Sequence, residues 1–160
     1  MKTRDIAIIG VLIALSYLLS FIKFSGSIAL DSTPAFLATF LFRDYKGPFV
    51  AGIGHMLSAA SAGFLLGLPV HISIAILMFV MLVVAGKVID KTNVLLGSGV
   101  IFIINAFIMP FIVFISMPFS WEAYSGFVVA LAPAAIANII IAAVLYRPIG
   151  RVLKIDGFTV

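Results

Sequence analysis

The sequence predicts an all-α integral membrane protein: one bundle of six transmembrane helices with a short second helix and both termini in the cytoplasm. Three observations predict it. Of 160 residues, 64% are hydrophobic and 10% charged, against about 25% charged in soluble domains. A mean hydropathy of +1.31 leaves more apolar surface than a soluble fold of this size can bury. The apolar residues also fall in long runs, separated by short breaks that carry charge, glycine or proline.

The first span covers residues 6–22. Lys2 and Arg4 precede it as they would a signal peptide. The run exceeds the roughly 7–15 apolar residues of such a peptide, and no small-residue cleavage site follows, so it reads as a membrane helix. A loop with Lys23, Gly26 and Asp31 leads to a short apolar segment, 34–42. Asp31, Ser32 and Thr33 offer a capping side chain before Pro34 at the first helical position. The cluster from Arg43 to Pro48 ends that segment. A third span over 49–66 turns at Gly67 and Pro69, and a fourth covers 71–86. The fifth, 94–116, contains Pro110 as a kink, and the sixth runs over 121–146 after a turn at Met117 to Ser120. No linker, low-complexity tract or fixed-period repeat divides residues 1–160, which form a single domain.

Basic residues arbitrate the short second segment, because cytoplasmic loops retain Lys and Arg. From Pro34 to Lys46 the chain rises only about 20 Å as a helix, less than the roughly 30 Å hydrocarbon core. With six spans, nine of the ten basic residues lie inside: Lys2, Arg4, Arg43, Lys46, Lys87, Lys91, Arg147, Arg151 and Lys154. Only Lys23 is outside. A re-entrant second segment places eight of ten inside and strands Lys2 and Arg4. The charge rule thus favours six spans, and the net charge of +4 reflects topology rather than nucleic-acid binding. Asp5, Asp44, Asp90 and Asp156 are expected as surface partners of the cytoplasmic bases. Asp31 and Glu122 are the acids of the outer face.

The residues exclude several activities. There is no cysteine, hence no disulfide and no thiolate metal site or nucleophile. His55 and His71 do not form an HExxH pair, no GxSxG elbow is present, and Gly86 with Lys87 lacks the rest of a phosphate-binding loop. No carboxylate lies well inside a span. His55 near mid-membrane and His71 at the outer end are poorly levelled to share a haem. The chain therefore reads as a non-enzyme with no metal and no cofactor.

The polar residues point instead to a ligand cavity open to the outer face. Asp31 and Ser32 lie in the first outer loop, His71 tops the fourth span, and Trp121, Glu122 and Tyr124 form the last outer turn. His55, Asn105 and Asn138 can line deeper walls. A small, flat, hydroxylated ligand suits such a set. Each residue also has a plainer role: Asp31 as a helix cap, His55, Asn105 and Asn138 as interhelical hydrogen bonders, Trp121 and Tyr124 as interfacial anchors. Small residues form a second pattern. Ala7, Gly10 and Ala14 share one face of the first helix, which serves either internal packing or docking of another membrane subunit. Ala51, Gly54, Ser58 and Ala62 repeat the pattern on the third, where internal packing is expected.

A short six-helix protein with a Gly-Ser first outer loop and an alanine/glycine stripe on its first helix resembles the substrate-binding subunits (S components) of energy-coupling factor vitamin transporters. The closest stretch is Gly26 to Leu37 (GSIALDSTPAFL), followed by Gly52 to His55 (GIGH) and Leu68 to His71 (LPVH). Within that family the combination looks most like the subunits assigned to α-ribazole, the dimethylbenzimidazole nucleoside used in building cobalamin. The resemblance implies a multi-pass protein of a prokaryotic plasma membrane that captures a micronutrient from outside. It would dock on a transmembrane coupling subunit carrying two ABC-type ATPases and topple in the lipid to release its substrate inward. It also implies docking through Ala7, Gly10 and Ala14, with Gly10 where the family usually has alanine, and a lid over residues 23–33. In the implied site Asp31, with Ser32 beside it, accepts hydrogen bonds from ribose hydroxyls or a ring N–H. His55, His71 and Asn105 hold polar atoms, and Trp121 or Tyr124 covers the ring. Rival readings are an S component for another vitamin or cobalamin precursor, and a small membrane enzyme or assembly factor.

Overall fold

The computed structural model describes residues 3–24, 28–116 and 120–155. Lys2, Gly26, Met117 to Phe119 and Asp156, all used in the topology above, lie outside the described residues. The helices are α1 (Thr3–Leu19), α2 (Thr33–Phe42), α3 (Lys46–Ser61), α4 (Leu68–Lys91), α5 and α6 (Trp121–Val152). Helix α5 starts as Val94–Ile103, widens to a π turn over Ile104–Ile108 and resumes over Met109–Ser116. Six helices are thus found among the described residues, as expected. Three of them, Leu68–Lys91, Val94–Ile115 and Trp121–Val152, are long and apolar enough to cross a membrane. One difference lies in the first loop: β1 (Lys23–Phe24) and β2 (Ile28–Ala29) pair antiparallel, with Lys23 opposite Ala29 and Phe24 opposite Ile28.

Helix α2 has ten residues, about 15 Å of rise, and is the core of the bundle. Every residue from Thr33 to Leu41 is buried, because α1, α3, α4 and α6 all pack against it. Phe36 and Phe40 are fully enclosed. A helix covered by protein need not match the bilayer thickness, since its ends meet polar protein groups rather than lipid. Thr39, also fully buried, turns its hydroxyl back to the Ala35 carbonyl at 3.0 Å.

The expected side-chain cap of α2 does not form. Ser32 occupies the cap position with helical backbone angles, and its hydroxyl turns toward Asp31 at 3.5 Å instead. Asn138 of α6 supplies the polar closure. Thr33 Oγ1 donates to Asn138 Oδ1 at 2.7 Å, while Asn138 Nδ2 donates to the carbonyls of Ala29 and Ala134, each at 2.8 Å. One buried amide thereby joins strand β2, the start of α2 and the middle of α6.

The opposite end is closed by charge. Lys46, 7% exposed, pairs with Asp44 and, at 3.2 Å, with Asp5 of α1. Tyr45 donates its hydroxyl to Asp5 at 3.1 Å. These groups were expected as ordinary surface pairs, but Lys46 sits under Phe42 and Tyr45, and a buried ammonium is tolerated only when paired. Arg43 ends α2 in a left-handed conformation (φ 55°), its N–H bonded to the Thr39 carbonyl. Its own carbonyl lies where a Cβ on Gly86 would come within 3.4 Å. Asp5, Arg43, Asp44, Lys46 and Asp90 gather at this one end, so the N-terminus and the two charged turns share one face.

Close approaches set the helix spacing. Gly54 of α3 lies against Ser16 of α1, where an added Cβ would meet Ser16 Cβ at 3.0 Å. Internal packing expected of the third-helix stripe thus holds for Gly54 and the buried Ala51, whereas Ala62 is exposed just past the end of α3 and Ser58 turns to Asp31. Gly47 lies against Thr39, its hypothetical Cβ 2.9 Å from the Thr39 nitrogen. Gly47→Ala is therefore expected to destabilise the protein by about 2 kcal/mol through overpacking, read as a lowered Tm in detergent; an unchanged Tm contradicts the packing. Asn138→Leu is expected to cost about 2 kcal/mol by orphaning Thr33 and Ala29 and to speed amide exchange over residues 28–33. Parent-like exchange there would show that Asn138 does not hold this segment.

Candidate functional site

At the end away from Lys46, α2 to α6 and β2 enclose a cavity of about 300 Å³, at the small end of ligand pockets. Its wall is mainly apolar, with Phe36, Ile74, Met78, Met109, Phe127 and Leu131. The polar groups are Asp31, Ser32, His55, His71, Asn105 and Asn138. Asp31 is the only charged residue in the wall among the described residues.

Asp31 enters from the segment between β2 and α2. Ser58 of α3 donates to its Oδ2 at 3.2 Å. Burial pushes the Asp31 carboxyl above the usual carboxylate range, opposed by the hydrogen bonds from Ser58, from its own backbone and from Ser32. The carboxylate retains further acceptor positions for a ligand.

The two histidines meet. His71 Nδ1 lies 3.2 Å from His55 Nε2, and their ring centroids are 5.3 Å apart. Their expected mismatch in depth is corrected by the turn between α3 and α4. Gly63 (φ 74°), Phe64 (φ 50°) and Gly67 (φ 82°) adopt left-handed or otherwise glycine-favouring angles. The Phe64 N–H returns to the Ala59 carbonyl at 2.8 Å. The chain folds back sharply, so the first turn of α4 packs beside the latter half of α3. Phe64 then stacks near His71, centroids 5.7 Å apart.

Asn105 reaches the wall from the π turn of α5. Pro110 has no N–H, and its ring would crowd the carbonyl four residues earlier in a regular helix. Just before it the Met109 N–H bonds to Ile104, five residues back. The widened turn absorbs the proline and sets the Asn105 amide toward the cavity, a use typical of π bulges. The kink expected at Pro110 thus takes the form of this turn.

Of the residues the sequence singles out, Asp31, Ser32, His55, His71 and Asn105 come together here. Trp121 and Tyr124 do not line the cavity. They join Phe111 and Phe114 in an aromatic cluster, with Phe114 and Trp121 centroids 4.7 Å apart and Trp121 63% exposed. Phe36 and Phe127 supply the rings of the wall instead. Neither they nor Ser58 carries a motif; Asn138, already marked as an intramembrane amide, was the readable signal. Ala7, Gly10 and Ala14 are all exposed on α1, and nothing lies within 4 Å of a Cβ added to Gly10.

The family model described as "ECF transporter, substrate-specific component" matches residues 4–150. No curated protein and no solved structure matches the chain. The six-helix bundle and the long apolar helices agree with that match. A membrane protein that serves as a substrate-binding transporter subunit rather than an enzyme, and that works with an energy-coupling module, is what membership implies. Because the match spans nearly all of the sequence, the chain belongs to the family of substrate-specific components of ECF transporters.

Proposed function

We propose that this subunit captures α-ribazole, or a closely similar benzimidazole nucleoside, from outside a prokaryotic plasma membrane and delivers it inward. The observation that carries this reading is the convergence of Asp31, Ser32, His55, His71 and Asn105 on one otherwise apolar cavity. A flat heterocycle lies against the apolar wall that includes Phe36 and Phe127, while Asp31 accepts from ribose hydroxyls. The segment around strand β2, whose Ala29 carbonyl accepts from Asn138, serves as the lid. Scavenging at nanomolar concentration requires about −12 kcal/mol, which a small, mainly apolar site with satisfied polar contacts can supply. Trp121 and Tyr124 act at the membrane interface beside this entrance.

The exposed face of Ala7, Gly10 and Ala14 is the docking surface for the transmembrane coupling subunit, which carries two ABC-type ATPases. Small residues there admit a partner helix at close range. On ATP binding and hydrolysis in the partner subunits, the bundle topples and opens its cavity inward.

Titration calorimetry of the detergent-purified protein with α-ribazole tests the substrate. Asp31→Ala is expected to weaken binding at least tenfold, about 1.4 kcal/mol; an unchanged Kd removes Asp31 from the site, and no binding to the parent protein rejects the substrate. Gly10→Leu is expected to abolish co-purification with the ATPase subunits while leaving ligand affinity within twofold. Retained co-purification would move docking off this face.

A further inference from the structure

His71 leaves one nitrogen unanswered. Its Nδ1 is engaged by His55, and its Nε2 is buried with no hydrogen-bond partner among the described residues. Both rings line the cavity. A buried polar atom without a partner is destabilising; His71 contributes to the cavity wall, and a small turn of its ring on ligand binding would let the ligand satisfy this one.

The contact between the rings determines what that atom offers. Two neutral imidazoles 3.2 Å apart share a single N–H between them. If His71 owns it, Nε2 is an acceptor; if His55 owns it, His71 carries its proton on Nε2 and becomes a donor. The wall already has a strong acceptor in Asp31, which Ser58 and Ser32 only partly occupy. A heterocycle with a ring lone pair at one edge and hydroxyls at the other needs a donor opposite the lone pair.

We infer that His71 Nε2–H donates to a ring nitrogen of the ligand, and that His55, by donating its Nε2–H to His71 Nδ1, fixes the tautomer that makes this contact. His71 is then a specificity-determining residue and His55 a positioning residue. The pair selects heterocycles with an in-plane acceptor nitrogen over isosteres that carry a C–H there. This rests on the nucleoside reading above and adds the atom that recognises the ring.

The test compares two probes by titration calorimetry: α-ribazole and its dimethylindole counterpart, in which the acceptor ring nitrogen is a C–H. The parent protein is expected to bind α-ribazole at least tenfold more tightly. His71→Phe retains the ring volume against Phe64 and is expected to bring the two affinities within threefold of each other, chiefly by weakening α-ribazole. His71→Gln, which restores an N–H donor, is expected to recover at least half of the logarithmic preference, separating recognition from a folding defect. His55→Phe is expected to lower the preference at least threefold. An undiminished preference in His71→Phe overturns the inference while the nucleoside reading stands. An undiminished preference in His55→Phe overturns the role of His55. If neither probe binds the parent protein, the nucleoside reading fails and this inference falls with it.

Discussion

A helix of ten residues cannot cross the hydrocarbon core of a bilayer, and this constraint organises the molecule. Helix α2 is apolar enough to leave water but too short to span lipid, so each of its faces must be covered by protein. Helices α1, α3, α4 and α6 provide that cover, and glycine at position 47 lets α3 reach the backbone of Thr39. The space α2 leaves above its N-terminus, where a longer helix would continue, lies beside the cavity wall formed by Asp31, Ser32 and Phe36. Shortness of one element and the presence of a site are thus two aspects of the same packing.

Each end of α2 is closed by a buried polar group from another helix. At one end Asn138 satisfies Thr33 and the β2 carbonyl of Ala29. At the other Lys46 gathers Asp5 and Asp44. The two closures differ in kind for a physical reason. Paired charge is tolerable near the aqueous face, where residual solvent screens it, whereas a neutral amide beside the cavity provides directional bonds without a charge to desolvate. Asn138 combines two roles the sequence offers as alternatives, since it bonds between elements and also contributes to the wall.

Much of the bundle is legible in the amino-acid order. Long apolar runs and the placement of Lys and Arg mark the helices and their ends, because transfer free energies act on segments and need no tertiary knowledge. The cavity is legible only in its polar part. Asp31, His55, His71 and Asn105 stand out because ionisable and amide groups are rare in such a background. Phe36, Met78 and Phe127 do not, since apolar residues facing a cavity and those facing lipid look alike in one sequence. Depth was the other hidden quantity. The two histidines meet only because Gly63, Phe64 and Gly67 reverse the chain within a few residues, and the capping role expected near Asp31 gave way when Asn138 arrived from over a hundred positions away. Trp121 and Tyr124 separate from the site because α5 and α6 pair their outer aromatic rings with each other.

Among the described residues, no part of α1 contributes to the cavity wall. The helix is fastened at its base by Asp5 and along its length by the contact of Ser16 with Gly54, both on its inner side. Its outer face is therefore free to vary without altering the chemistry around Asp31 and His71, as effects at separated sites with no shared partners tend to add. With the docking proposed for Ala7, Gly10 and Ala14, a substitution on that face alters the partner, and one around Asp31 or His71 alters the cargo. Each property is then open to change with the other held fixed.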